Sequence, residues 1–453
     1  MQYRTLNPAT EELVETFPNP TAAEVDEVLR LAETGFSHWR TTRLGERRKL
    51  LLEMARLLEE RATPLAEVMA LEMGKPLAEG EAEAKKCSWV CRFYAEEGES
   101  FLAPDDHESD GSRAYVRHDP LGAILAIMPW NFPLWQVLRF TAPALTAGNV
   151  VLLKHAPSVP QCALRIVELM NDSGAPEGVF QSLFLTNEQA ADVIADRRIQ
   201  GVTLTGSSRA GKAVGAVAGG HLKTMVMELG GSDPFIVFED ADLDAAAEVG
   251  ALARCINSGQ SCIAAKRFLV AESILEDFAS RFVAEIKKRK LGDPLDRTVQ
   301  IGPLAREDLR DTLARQVRES VDGGAEVLFA SDAPSRGFFY PPTVLTNVRK
   351  GTPAHEEELF GPVAVLTPFD SEDEAVSIAN ETAYGLGSSV WTENVERAER
   401  LIPRIDAGSV FVNGLVKSDP RLPFGGTKES GFGRELSREG LLEFVNRKTV
   451  WVR

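Results

Sequence analysis

Cysteine is scarce in this chain. Five residues among 453 are too few and too irregularly spaced for a disulfide framework, and no CxxC pair or zinc-like spacing occurs. A reducing, cytoplasmic setting is therefore expected. Positive charge is also short. Fifty Lys and Arg face 67 Asp and Glu, for a net charge of −17, which excludes the basic footprint that nucleic-acid binding needs. Long apolar runs are missing too. Pro120 to Leu138 carries no charge, but Pro129, Asn131 and Pro133 interrupt it, so it reads as a buried strand, loop and helix, not a membrane span. Met1-Gln2-Tyr3-Arg4 continues into polar sequence without a leader-like apolar core. With no cluster of His and Cys ligands, no metal is expected.

The remaining composition is that of an ordinary globular protein, 44% hydrophobic and 26% charged. The length calls for more than one core. Glu24 to Trp39 and Arg47 to Leu71 space their apolar residues as helices do. Arg113 to His118 alternates like an exposed strand, and Leu121 to Met128 is continuously apolar, as a buried parallel strand would be. Strand-like and helical stretches then alternate: Val150 to Lys154, Pro160 to Asn171, Val179 to Leu185, Glu188 to Asp196, Gly201 to Thr205 and Arg209 to Val217. That alternation predicts βαβ units and a doubly wound α/β sheet. A second alternating series runs from Pro234 to about Gly414. The tail from Leu441 reads as a short helix, then a strand at Thr449 to Val452.

Chemistry concentrates at Asn257-Ser258-Gly259-Gln260-Ser261-Cys262-Ile263-Ala264. Small neighbours leave room around the Cys262 thiol for a substrate and a backbone donor, which suits a nucleophile. Cys87, Cys91, Cys162 and Cys255 lack that setting and read as buried hydrophobes. Glu228 ends a strand-like run in Met227-Glu228-Leu229-Gly230-Gly231. A buried, unpaired carboxylate has a raised pKa and can take a proton from water. Asn131, in Met128-Pro129-Trp130-Asn131-Phe132-Pro133, can cap the next helix or donate to an oxyanion. Thr205-Gly206-Ser207-Ser208-Arg209-Ala210-Gly211-Lys212-Ala213 joins a strand to a helix, a place for phosphate. It misses the P-loop pattern because Ala213 stands where a Ser or Thr is needed, which argues against a P-loop nucleotide hydrolase.

Together with Glu358-Leu359-Phe360-Gly361-Pro362, these segments resemble the aldehyde dehydrogenase superfamily, and the resemblance extends along nearly the whole chain. It implies a Rossmann-type cofactor domain from 1–102 and 121–228, an α/β catalytic domain over 229–435, and a small β bridging or oligomerisation element from 103–120 and 436–453. It also implies catalysis by Cys262, Glu228 and Asn131. The cofactor, NAD or NADP, would meet Trp130, Lys154, Pro157, Gly206, Ser207, Gly211, Glu358 and Phe360. NAD-selective relatives often carry a glutamate three positions after the lysine matching Lys154. Pro157 stands there, so NADP is expected to be accepted.

Arg139 is the only charged residue from Pro120 to Leu153, and a guanidinium in apolar surroundings calls for an anion. That anion could be an internal acid or a substrate carboxylate. Arg139 and the Lys417 to Phe424 segment resemble the succinate-semialdehyde dehydrogenases. The expected substrate is thus an aldehyde with a distal carboxylate, held by Arg139, Trp135 and Ser418. A relative of other or broad substrate range, or one acylating coenzyme A, is the alternative. Exposed strands at Arg113 to His118 and Thr449 to Val452 would need cover, so a homodimer or homotetramer is expected.

Overall fold

The computed structural model describes residues 2–453. Two mostly parallel sheets, each with one antiparallel edge strand, organise it. The first has six strands, in spatial order Gly431–Phe432, Thr224–Glu228, Ile199–Thr205, Ala123–Met128, Val150–His155 and Phe180–Ser182. All but the first run parallel. Numbered along the chain, the five parallel strands lie in the order 3-2-1-4-5, that of a dinucleotide-binding half-sheet. Its direction reverses between Ala123–Met128 and Ile199–Thr205, so the crevice beyond their carboxyl ends is the place for a ligand. Trp130-Asn131 follows the first of these strands and Gly206-Ser207 the second.

The second sheet has seven strands, in the order Glu326–Ala330, Thr343–Thr346, Val363–Phe369, Ala265–Ala271, Asp233–Val237, Gly387–Trp391 and Ser409–Val412. The four strands from Val363–Phe369 to Gly387–Trp391 are buried along nearly their whole length. Both sheets are covered by helices, as parallel sheets require, and the α/β architecture is the one expected.

Several local readings change. The helical stretch from Arg47 to Leu71 is two helices, Leu44–Glu60 and Ala62–Met73, parted at Arg61. The strand expected over Val179 to Leu185 is only Phe180–Ser182. The tail helix is Ser437–Leu442 and its strand begins at Val445. The largest change concerns the two exposed strands. Arg113–Pro120 and Val445–Val452 pair with each other along their full length, within one chain. Each therefore covers one edge of the other without a second subunit. Arg113–Pro120 also pairs with the short strand Asp105–His107, so the open edges that remain are those of Asp105–His107 and of Val445–Val452, whose Trp451 is half exposed.

Gly431–Phe432 lies far along the chain yet closes the first sheet beside Thr224–Glu228. This return carries the following Arg434-Glu435 to Glu228, a juxtaposition that sequence distance hides.

Candidate active site

The Trp135–Ala147 helix forms one wall of the site. Its first N–H groups lack partners within the helix, and the Glu83 carboxylate accepts from the backbone N–H of both Leu134 and Trp135 at 2.9 Å. Gly148 ends the helix in the left-handed conformation, φ +99°. Trp135 and Arg139 are four residues apart and share a face. Both line a cavity of about 190 Å³ with Cys262, Ser418, Phe424 and Lys86.

Cys262 reaches that cavity from a strained loop. Asn257, Ser258 and Gly259 all have positive φ, at 54°, 56° and 75°. Gly259 also lies against the Gly361 backbone, where an added Cβ would meet the carbonyl carbon at 2.3 Å. The loop is held by amides. Asn131 Nδ2 donates to the Gln260 carbonyl at 3.1 Å, and Asn257 Nδ2 donates to the Asn131 carbonyl at 2.7 Å. Asn131 is buried, and its side chain holds the Gln260 carbonyl, two residues before Cys262, rather than capping a helix. An amide carries two N–H donors, and this bond uses one. Burial pushes the Cys262 thiol up to about 12, while Arg139 and Lys266 pull it back.

Glu228 is buried at the end of its strand, and neither carboxylate oxygen has a hydrogen-bond partner. Burial and the neighbouring Glu435 carboxylate raise its pKa well above the usual range. Arg139 opposes that rise, and its field reaches Cys262 as well. Glu228 is not itself a wall of the Cys262 cavity. Arg139 is the element common to both.

The anion that Arg139 needs is present inside the chain. Its Nε forms an ion pair with Glu435, both side chains fully buried. Its Nη2 donates to Thr205 Oγ1 at 3.2 Å, and the guanidinium carbon lies 4.9 Å from the Phe424 ring centroid. Arg139 lines the cavity as expected, but with an internal carboxylate already opposite it. Ser418 Oγ accepts from Lys86 Nζ at 2.8 Å. Neither Lys86 nor Glu435 was foreseen from the sequence.

The crevice at the switch point is fitted for a dinucleotide. Ser207 caps the Ser208–Gly220 helix, accepting from the Ala210 N–H at 3.3 Å. The first turn of that helix therefore offers N–H groups and the positive end of its dipole. Gly206 precedes it and has no atom closer than 3.6 Å to an added Cβ. At Gly211 such a Cβ would meet the Leu229 side chain at 2.5 Å, so a larger residue there would have to push that leucine aside. Lys154 is buried, forms no ion pair among the described residues, and is lowered to about 8 by burial. That is the setting of an ammonium prepared for an anion or hydroxyl. The Pro157 carbonyl accepts from the Arg4 N–H at 3.0 Å, with no carboxylate side chain at that position. Across the crevice, Trp130 and Phe360 meet edge to face, centroids 5.7 Å apart. Glu358 accepts from the Gly231 N–H at 3.2 Å and lies 3.4 Å from Lys266 Nζ.

The family model for the aldehyde dehydrogenase family matches residues 1–450. A protein of Synechocystis sp., described as probable succinate-semialdehyde dehydrogenase with NADP(+), is 49% identical over 453 residues, all of both chains. A Mycobacterium tuberculosis protein, succinate-semialdehyde dehydrogenase 1 with NADP(+), is 49% identical over 456 residues, again covering both chains completely. The crystal structure of Streptococcus pyogenes succinic semialdehyde dehydrogenase in complex with NADP+ superposes with a TM-score of 0.97. It is 37% identical and covers 99% of each chain.

Proposed function

We infer the activity from one premise: the chain belongs to the aldehyde dehydrogenase family. The reaction proposed is oxidation of succinic semialdehyde to succinate, with NADP(+) accepted and NAD(+) the alternative. One observation carries the substrate: the wall that bears the Cys262 thiol also bears positive side chains, at Arg139 and Lys86. The full-length likeness to NADP-dependent succinate-semialdehyde dehydrogenases supports the same reading.

Cys262, as thiolate, attacks the aldehyde carbon and forms a thiohemiacetal. The free N–H of Asn131 and the Cys262 backbone N–H would donate to the oxygen that becomes negative. A dinucleotide, when bound, would supply the hydride acceptor for that carbon, and the oxidised carbon would remain on Cys262 as a thioester. Glu228 then removes a proton from water as it attacks the thioester, and the acid leaves. Lys154, Ser207 and Gly206 would hold the dinucleotide. Glu358, Trp130 and Phe360 would border its nicotinamide end. The absence of a carboxylate at Pro157 leaves Lys154 free to meet a ribose phosphate. The open edge of Val445–Val452 supports assembly as a homodimer or homotetramer.

The test is turnover of succinic semialdehyde, glutaric semialdehyde and butanal with each cofactor. The expected order of kcat/KM follows that list, with succinate as product even when coenzyme A is added. Equal rates for succinic semialdehyde and butanal would refute the substrate. Absence of all NADP-linked turnover would refute the cofactor, and an acyl-coenzyme A product would favour the acylating alternative.

A further inference from the structure

Lys86 sits on the Leu77–Phe101 helix, half-buried, beside the cavity that holds Cys262. Its ammonium lies 4.2 Å from the Trp135 ring centroid and donates to Ser418 Oγ at 2.8 Å. It has no ion-pair partner among the described residues, although acids lie near. Glu83, on the same helix, is held by Lys75 and by two backbone N–H groups. Asp419 is held by Arg421 through both oxygens, at 2.9 and 2.7 Å. Arg139 is matched by Glu435. Burial, then the field of Arg139, lowers the Lys86 ammonium to about 8. A desolvated cation left with a hydroxyl partner alone is a costly arrangement unless an anion completes it.

We propose that Lys86, together with Ser418, receives the distal carboxylate of the substrate and sets the preference for acidic over uncharged aldehydes. An ammonium has three donors. One reaches Ser418, and the others are available to carboxylate oxygens. Because Ser418 accepts from Lys86, its own O–H is free to donate. Lysine and serine thus form a two-sided cradle, and the Trp135 ring keeps water from one face of it. Arg139 adds field at this end of the cavity, but its charge is already answered.

This inference rests on the succinic semialdehyde reading, and the experiment separates the two. In the full-length enzyme, Lys86→Met keeps the apolar stem and removes the charge. Its kcat/KM for succinic semialdehyde should fall about 10- to 100-fold, the range for a lost charged hydrogen bond, mostly through KM. Its kcat/KM for butanal should stay within about twofold, since that aldehyde makes no such bond. Lys86→Arg should recover part of the loss. Unchanged preference in Lys86→Met, or equal losses on both aldehydes, overturns the proposal. Lys86→Gln, which retains a donor for Ser418, gives the same comparison if the Met variant melts early. A wild-type enzyme without preference for succinic semialdehyde overturns the substrate reading itself.

Discussion

Two cations line one cavity and meet opposite circumstances. Arg139 is fully buried and paired with Glu435, close to Glu228. Lys86 is half-buried and answered only by a serine hydroxyl and an indole face. The difference separates two uses of buried charge. A matched pair fixes geometry and tunes its neighbours, whereas an unmatched cation waits for a ligand. On the proposed reading, Arg139 thereby stands between Glu228, assigned to water, and the substrate cavity it lines, while Lys86 is left for recognition.

The largest effect removes what both cations serve. Cys262→Ala should lower turnover of every aldehyde by about 10⁴-fold or more, with cofactor binding, followed by fluorescence titration, retained. Near-normal turnover would leave both cations without a nucleophile to serve. Glu228→Gln should reduce steady-state turnover by roughly 10²- to 10⁴-fold. Stopped-flow absorbance should still show one burst of reduced cofactor, because the step lost is hydrolysis of the thioester. Full steady-state activity would detach Glu228 from the Arg139 side of the comparison.

Arg139→Met leaves Glu435 and Glu228 buried without their cation, a loss of roughly 3–5 kcal/mol when one partner of a buried pair is removed. The melting temperature should drop, and succinic semialdehyde and butanal turnover should fall together. A loss confined to succinic semialdehyde would move Arg139 over to recognition. The smallest effect is one of pH. Burial holds the Cys262 thiol at about 12, so the thiolate is scarce at neutrality and grows as pH rises. Alkylation of Cys262 by iodoacetamide in the cofactor-free enzyme should accelerate about tenfold per pH unit between roughly pH 7 and 9. A rate already level across that range would mean a thiol far more acidic than its surroundings imply.

The sequence made some of this arrangement readable, for physical reasons. Cys262, Glu228 and Asn131 sit in short runs whose glycines, prolines and small residues announce special backbone. The strand–helix alternation announced the parallel sheets. Lys86 lies instead in Glu79-Gly80-Glu81-Ala82-Glu83-Ala84-Lys85-Lys86, which reads as a solvated helix face. Only packing against the Trp135–Ala147 helix turns Lys86 and Glu83 inward while Lys85 stays exposed. Glu435 was hidden by distance, since its meeting with Arg139 follows from the late strand Gly431–Phe432 returning to the first sheet. The exposed strands misled because alternation reveals one solvated face without naming the neighbour along the edge. That neighbour was the chain's own tail.

The contact of Gly259 with Gly361 has a mechanical consequence. With no side chain between them, the loop bearing Cys262 and the loop bearing Glu358 lie backbone against backbone, so a shift of one toward the other has no room. Cys262 and Glu358 are thereby set on two loops that share one tight contact. On the proposed reading, a dinucleotide that pressed on Glu358 would also press on the loop that aims the sulfur, so seating the cofactor and aligning the thiol would be linked.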